Sequence, residues 1–194
     1  EMYPVPASAA SYGRTEEVVG TWLQRKRRDS VILATKVAGP SRNLQWIRGG
    51  PLALDRANIR AALYGSLKRL RTDYVDLYQL HWPDRNTPMF GRYQFDPAQE
   101  HPTVPVAEQI EALTELVREG KIRHIGLSNE HPWGVTEFLT QADKQGLARV
   151  VSVQNAYNLI NRSFEISLAE LCYRERISLL AYSPLAFGLL SGKY

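Results

Sequence analysis

Helix-like and strand-like apolar patterns alternate along the chain. Apolar residues spaced by three and four positions predict five amphipathic helices, located over residues 16–28, after Asp55, near 105–119, near 132–145 and over 163–176. Short, continuously apolar runs follow these helices and predict five strands, at residues 31–36, 75–81, 122–127, 149–153 and 177–181. Continuous apolar runs are typical of parallel strands, because helices bury both faces of a parallel sheet.

The helix after Asp55 has the clearest pattern. Asp55 is a predicted N-cap, since its carboxylate can accept a hydrogen bond from the first helical turn. The positions predicted to face the core are Ile59, Ala62, Leu63, Ser66, Leu67 and Leu70. Thr15 is the predicted cap of the first helix, and Gly120 and Gly146 stand where two later helices should end.

Alternating strands and helices predict βαβ units with a parallel sheet. No G-x-G-x-x-G turn follows a predicted strand, which argues against a Rossmann domain. We therefore predict an α/β fold of the (β/α)8 barrel type, as a single domain over residues 1–194. Such barrels typically have about 250 residues, so we expect about five βα units here and barrel elements missing at both ends.

Composition narrows the class of protein. The chain is 44% hydrophobic and 23% charged, which excludes disordered, collagen-like and coiled-coil chains. No apolar run is long enough to span a bilayer, so no membrane partner is predicted. The single cysteine, Cys172, rules out an intrachain disulfide and a cysteine-rich zinc site. It fits a reducing compartment, and we expect a cytoplasmic protein.

The net charge of +4 is mild and suits an anionic ligand such as a dinucleotide phosphate without requiring one. The densest basic run, residues 25–28, is expected to be the solvated end of the first helix, so no nucleic-acid partner is predicted.

Polar residues end the predicted strands, and on a barrel these ends meet at one mouth. They are Lys36, His81, Ser128-Asn129, Gln154-Asn155 and Tyr182-Ser183. The long connections 37–54 and 83–104 leave the sheet on the same side and are expected to act as lids or binding loops.

Lysine and histidine at a barrel mouth fit two kinds of chemistry. A desolvated lysine can form a Schiff base with a carbonyl substrate. Alternatively, a tyrosine acidified by a nearby cation can protonate a carbonyl during its reduction. Tyr3 is the candidate acid, although spacing alone does not place it beside Lys36. The remaining histidines lack ligand-like spacing, so no metal site is predicted.

Ordered motifs along essentially the whole chain resemble the aldo-keto reductase superfamily, most closely a bacterial branch that is also similar to potassium-channel β subunits. The main matching segments are Glu1-Met2-Tyr3, Ala34-Thr35-Lys36, Gln79-Leu80-His81-Trp82-Pro83, Ile125-Gly126-Leu127-Ser128-Asn129, Gln154-Asn155, and Tyr182-Ser183-Pro184-Leu185 with Gly188–Tyr194.

This resemblance implies NADP(H)-dependent reduction of aldehydes or ketones to alcohols by hydride transfer. Tyr3 would be the general acid, Lys36 would make its hydroxyl more acidic, and His81 would orient and polarise the substrate carbonyl. Family members also have an aspartate that pairs with the lysine, a few residues before the tyrosine, and this chain begins after that position. Trp82 would form a wall of the substrate pocket, together with Met89, Phe90 and Tyr93.

The resemblance also implies the cofactor contacts. The residues expected to bind the nicotinamide carboxamide are Ser128, Asn129 and Gln154, and Tyr182 would stack on the ring. The positions expected around the pyrophosphate are Ser183, Pro184, Leu185, Gly188 and Lys193. The preference for NADP comes from the family, whose 2′-phosphate signature lies beyond Tyr194.

Two other functions stay open. One is a cofactor-binding regulatory subunit that senses redox state with little turnover; in the channel-subunit branch the position of His81 is usually asparagine, so histidine favours an enzyme. The other is a Schiff-base lyase that uses Lys36. The expected partner is a small carbonyl substrate, and oligomer formation is left open.

Overall fold

Five parallel strands form one sheet in the computed structural model, which describes residues 1–41 and 43–194. The strands are β1 (Ala34–Val37), β2 (Val75–Leu80), β3 (Ile122–Ser128), β4 (Val150–Ala156) and β5 (Ser178–Tyr182). They pair in sequence order, and every pair is parallel. This is the topology of consecutive units of a (β/α)8 barrel, so the predicted α/β class is confirmed as a partial barrel.

A helix precedes each strand. The helices are α1 (Arg14–Leu23), α2 (Arg56–Leu70), α3 (Val106–Arg118), α4 (Pro132–Gln145) and α5 (Leu168–Glu175). All six predicted core positions of α2 are buried, and the five apolar ones pack in one cluster with strand residues such as Tyr78, Ile125 and Val153. None of the helices within the described part of the chain is long and apolar enough to cross a membrane.

Two predicted helix ends are confirmed. Asp55 caps α2, since its carboxylate accepts a hydrogen bond from the Asn58 N–H at 2.7 Å. Gly146 ends α4 with a φ of 63°, a left-handed conformation that glycine adopts without steric penalty.

The bounds of the first predicted helix are wrong. The helix begins at Arg14 with Gly13 as its N-cap, and it ends at Leu23 rather than at residue 28. It ends there because the chain tightens into 3₁₀-type turns, in which each N–H bonds to the carbonyl three residues earlier. In these turns the N–H of Arg25 bonds to the carbonyl of Trp22 at 3.0 Å, and the N–H of Lys26 bonds to that of Leu23 at 2.9 Å.

The predicted helix over residues 163–176 is divided. A 3₁₀ turn covers Ser163–Ile166, and α5 begins at Leu168. Ser167 between them has a φ of −146°, which interrupts the helical path. Local apolar spacing continues across this break, and for that reason the sequence predicted one helix.

Arg28, at the end of the basic run, is not solvated as predicted. It donates hydrogen bonds to the carboxylate of Asp76 at 2.8 Å and to the carbonyl of Tyr74 at 3.0 Å. Its guanidinium also lies 3.9 Å from the ring centroid of Tyr74, and that of Arg123 lies 4.2 Å from the same centroid. Asp76 also accepts hydrogen bonds from Arg123 and from the Leu33 N–H, so it joins three segments at the N-terminal end of the sheet.

Asp76→Asn should lower the free energy of unfolding by about 2 kcal/mol at neutral pH, because two arginines lose their charged partner. Burial opposes ionisation of Asp76, but the Leu33 N–H and the two guanidinium groups outweigh it and lower its pKa below the ordinary 3.8. This stabilisation is present above the ordinary pKa and is lost as the pH falls through the lower folded value.

Urea unfolding of wild type and variant at a series of pH values measures this effect. The difference in stability should shrink as the pH falls below the ordinary pKa of 3.8, since asparagine does not titrate. A difference that stays constant over this range would contradict the role of the Asp76 carboxylate.

Candidate active site

The C-terminal ends of the strands meet at one edge of the sheet, as predicted. Lys36 of β1 lies in register with Gln79 of β2, and the N–H of His81 donates to the carbonyl of Val37 at 3.0 Å. In the same way, Ser128 pairs with Gln154 on the next strand. The strand-end side chains therefore come from neighbouring positions of the sheet, and we call this edge the mouth.

Tyr3 lies against His81 at the mouth. The centroids of their rings are 5.8 Å apart. Tyr3 is 43% exposed, whereas His81 is 8% exposed. The Nδ1 atom of His81 is buried and has no hydrogen-bond partner among the described residues. The structure thus brings together two residues that are far apart in sequence.

The two basic side chains at the mouth, His81 and Lys36, are shielded from water. Burial lowers the pKa of His81 to about 3, and the positive charge of Lys36 contributes in the same direction. The imidazole is therefore neutral at physiological pH. Burial also lowers the pKa of Lys36. Within residues 1–41 and 43–194, no carboxylate lies within ion-pair distance of the Lys36 ammonium.

Asn129 connects three strand ends. Its backbone is left-handed, with a φ of 54°. Its side-chain N–H donates to the carbonyl of His81 at 2.8 Å, and its side-chain oxygen accepts from the hydroxyl of Tyr182 at 2.7 Å. The Ser128 hydroxyl donates to the backbone carbonyl of Gln154 at 2.9 Å. Four residues predicted to contact nicotinamide are therefore neighbours, but both polar atoms of the Asn129 side chain are already hydrogen-bonded.

The predicted pyrophosphate residues follow β5. Ser183 is left-handed, with a φ of 55°, and its carbonyl accepts hydrogen bonds from the Asn158 side chain and the Ala186 N–H, both at 2.9 Å. A 3₁₀ turn over Ala186–Ser191 contains Gly188. Pro184, Leu185 and Lys193 are exposed. This segment is attached to the mouth at Tyr182 and leaves it along the surface.

Trp82 lies beside His81, with ring centroids 4.6 Å apart. It is buried, and its indole N–H donates to the carbonyl of Pro40 at 2.9 Å. A Cβ on residue 39 would lie 2.8 Å from the indole nitrogen, so only glycine fits there. The connection 37–54, whose position 42 lies outside the described residues, therefore packs directly on Trp82.

The other predicted pocket residues differ in their placement. Met89 packs against the cluster around Trp82, and the ring of Phe90 lies 6.2 Å from that of Trp82. Tyr93 is 81% exposed.

Sequence reasoning missed a buried ion pair next to the mouth. Glu130, directly after Asn129, is 3% exposed and accepts hydrogen bonds from both terminal nitrogens of Arg85, one of them at 2.9 Å. Its backbone carbonyl accepts from the Asn155 side chain at 2.8 Å. This pair supports the Ser128-Asn129 turn. Its only sequence signal is an acidic residue directly after a buried strand.

A comparison with protein-family models finds that the aldo/keto reductase family matches residues 7–194. The chain belongs to the aldo/keto reductase family. The predicted resemblance is thereby confirmed at the level of the family, while a relation to potassium-channel β subunits stays a prediction.

Individual aldo/keto reductase relatives match over most of the chain. Protein tas of Escherichia coli is 51% identical over 195 residues, covering 100% of this chain and 56% of its own length. The NADH-specific methylglyoxal reductase of E. coli is 31% identical, with 96% and 53% covered. A crystal structure of an aldo/keto reductase from Klebsiella pneumoniae in complex with NADP and acetate has a TM-score of 0.68 and 31% identity, with 93% and 52% covered. This aldo/keto reductase chain thus spans about half the length of these relatives.

In this aldo/keto reductase, the imidazole of His81 should stay neutral to about pH 4, because its pKa is lowered from the ordinary 6.5 to about 3. The unfolded chain binds a proton that the folded chain excludes, so this group should reduce stability as the pH falls below 6.5. Nitrogen-15 NMR of the complete protein measures the titration, and the His81→Gln variant assigns the signal. A midpoint near the ordinary value would contradict the burial of this ring.

Proposed function

We propose that the complete protein is an NADP(H)-dependent oxidoreductase that reduces aldehydes or ketones to alcohols, and that residues 1–194 are part of one barrel domain. The observation that carries the proposal is the contact between the Tyr3 and His81 rings at a mouth that also holds the desolvated Lys36. Membership of the aldo/keto reductase family supports the reaction class.

In this proposal Tyr3 donates a proton to the carbonyl oxygen, and its partial exposure leaves the hydroxyl accessible to substrate. The Lys36 ammonium stabilises the negative charge that Tyr3 acquires, and this attraction is strong because Lys36 is shielded from water. His81 is neutral, so one ring nitrogen carries a proton and can donate a hydrogen bond to the same oxygen. Trp82, packed on His81, forms a wall of the proposed substrate pocket.

The strand-end side chains fit a nicotinamide cofactor, which would supply the hydride when bound. The side-chain amide of Gln154 makes no hydrogen bond to the described residues, and an amide offers the donor and the acceptor that a carboxamide needs. Ser128 lies beside it, and Asn129 would have to exchange a bond to reach the cofactor. The half-buried ring of Tyr182 suits stacking on the nicotinamide.

The remaining cofactor contacts are proposed from the family. Backbone N–H groups and a lysine ammonium suit the negative pyrophosphate. The residues proposed for this role are Ser183, Pro184, Leu185, Gly188 and Lys193. One relative is named for NADH, whereas a similar structure contains NADP.

A second candidate is a Schiff-base lyase, favoured by the burial that lowers the pKa of Lys36. A lysine of this kind is neutral more often and can attack a carbonyl. Incubation with an aldehyde panel and borohydride, followed by mass spectrometry, separates the two reactions. A reduced adduct on Lys36 would support the lyase, whereas NADPH-dependent alcohol formation without an adduct supports the reductase.

Tyr3→Phe in the complete protein should reduce kcat for aldehyde reduction by at least about 100-fold, because the proposed acid is lost. Affinity for NADPH should stay within about two-fold, since the proposed cofactor contacts come from the strand ends and not from the segment that carries Tyr3. Tyr173→Phe, which removes a hydroxyl from an 85% exposed ring on α5, is the matched control. Near-normal turnover of Tyr3→Phe would falsify the role of Tyr3.

Fluorescence titration should show tighter binding of NADPH than of NADH. Gln154→Ala should weaken binding of both cofactors by about five- to ten-fold, because one hydrogen bond to their shared carboxamide is lost. A preference for NADH would overturn the NADP assignment and leave the reductase class intact. Unchanged affinity of Gln154→Ala would exclude the carboxamide contact.

A further inference from the structure

Glu1 is a buried carboxylate two residues before Tyr3. It is 5% exposed. Its side chain accepts a hydrogen bond from the N–H of Ala38 at 2.9 Å and forms an ion pair with Arg48. A buried carboxylate is stable only when it is paired and hydrogen-bonded, and both partners of Glu1 belong to the connection 37–54. This connection therefore holds the segment that carries Tyr3.

Arg48 links Glu1 to the start of α2. Its guanidinium is largely buried, and its second terminal nitrogen lies 3.3 Å from the side-chain oxygen of Asn58. Asn58 in turn donates from its backbone N–H to the capping carboxylate of Asp55 at 2.7 Å. A continuous chain of polar contacts thus runs from the first turn of α2 through Arg48 to Glu1.

The backbone of Arg48 indicates that its side chain is needed. Its φ is 54°, in the left-handed region, which costs a residue with a Cβ about 1–2 kcal/mol. Glycine would adopt this conformation without the penalty. The arginine is held in this conformation by the contacts of its guanidinium, the strongest of which is to Glu1.

Met2 provides a second anchor in the same connection. It packs against an apolar cluster of Ala38, Ile47, Leu52 and Trp82. Residues 1 and 2 are therefore both fixed, and Tyr3 is the next residue, with 43% of its surface exposed beside His81. The position of the Tyr3 ring depends on how firmly these two anchors hold.

We propose that Arg48 is a positioning residue, which acts through Glu1 to hold Tyr3 at its working distance from the substrate carbonyl. This inference rests on the proposed function, in which Tyr3 is the general acid. Without the guanidinium, the Glu1 carboxylate would be buried without a cation, and residues 1–3 would shift toward water. Proton transfer is sensitive to such shifts, since a displacement of about 1 Å is enough to lower the rate about 100-fold.

Arg48→Gly in the complete protein is the principal test, because glycine suits the local backbone and the variant should fold. We expect kcat to fall by about 10- to 100-fold, with NADPH affinity within about two-fold of wild type. Arg48→Lys should recover part of the loss, since it keeps the cation. Arg56→Gln is the matched control: Arg56 is also ion-paired, with Glu111 and Glu115, but on the outer surface between α2 and α3.

Double variants distinguish a loss of Tyr3 positioning from a general loss of structure. Glu1→Gln with Arg48→Gly should be no slower than Arg48→Gly alone, because both changes break the same contact. Tyr3→Phe with Arg48→Gly should be no slower than Tyr3→Phe alone, because Arg48 acts only through Tyr3.

Three results would overturn the positioning role: wild-type kcat in a folded Arg48→Gly variant, additive losses in either double variant, or equal losses of kcat and cofactor affinity. Circular dichroism and urea unfolding establish that each variant is folded. Failure of the proposed function is distinguishable, since it would show as normal turnover in Tyr3→Phe itself.

Discussion

Parallel pairing in sequence order is the constraint from which the rest of the structure follows. When each strand is followed by a helix and returns beside its predecessor, all strands end at the same edge of the sheet. Residues on adjacent strands, such as Lys36 with Gln79 and Ser128 with Gln154, then become neighbours without any attraction between their side chains. The buried apolar cluster between helices and sheet stabilises this arrangement, so the mouth is supported by packing that takes no part in its chemistry.

The ionisable groups at the two ends of the strands differ in whether they have a partner of opposite charge. At the N-terminal end, Asp76 is bound by Arg28 and Arg123, and each charge has a partner. At the mouth, Lys36 is half-buried with no carboxylate of the described residues within ion-pair distance, and burial keeps His81 neutral. Pairing at one end favours stability, whereas unpaired, desolvated groups at the other end favour chemistry, as is typical of functional sites.

The sequence alone predicted the elements whose signals are local. The six core positions of α2, the start of α2 and the end of α4 follow from spacing, a capping aspartate and a terminal glycine, and all were correct. Errors arose where a long-range contact or a tightened turn decides the path, as at Leu23 and Ser167.

The same contrast between local sequence signals and long-range contacts applies to the candidate site. Strand ends could be located from apolar runs, because side chains there are positioned by the sheet. The approach of Tyr3 to His81 and the pairing of Glu1 with Arg48 join residues more than forty positions apart, and no periodicity encodes such contacts. Only the resemblance to a family suggested the first of them, and nothing in the sequence pattern suggested the second.

The two long connections at the mouth, 37–54 and 83–104, differ in how well they should tolerate amino-acid substitutions. Every residue from 90 to 103 is exposed, whereas residue 39 has no room for a side chain against Trp82 and Leu54 is fully buried. Randomised libraries of the outer segment should therefore yield more soluble clones than libraries of 37–54. Substitutions that change the range of compounds bound should therefore accumulate in residues 90–103, while the connection 37–54 should stay nearly constant in sequence.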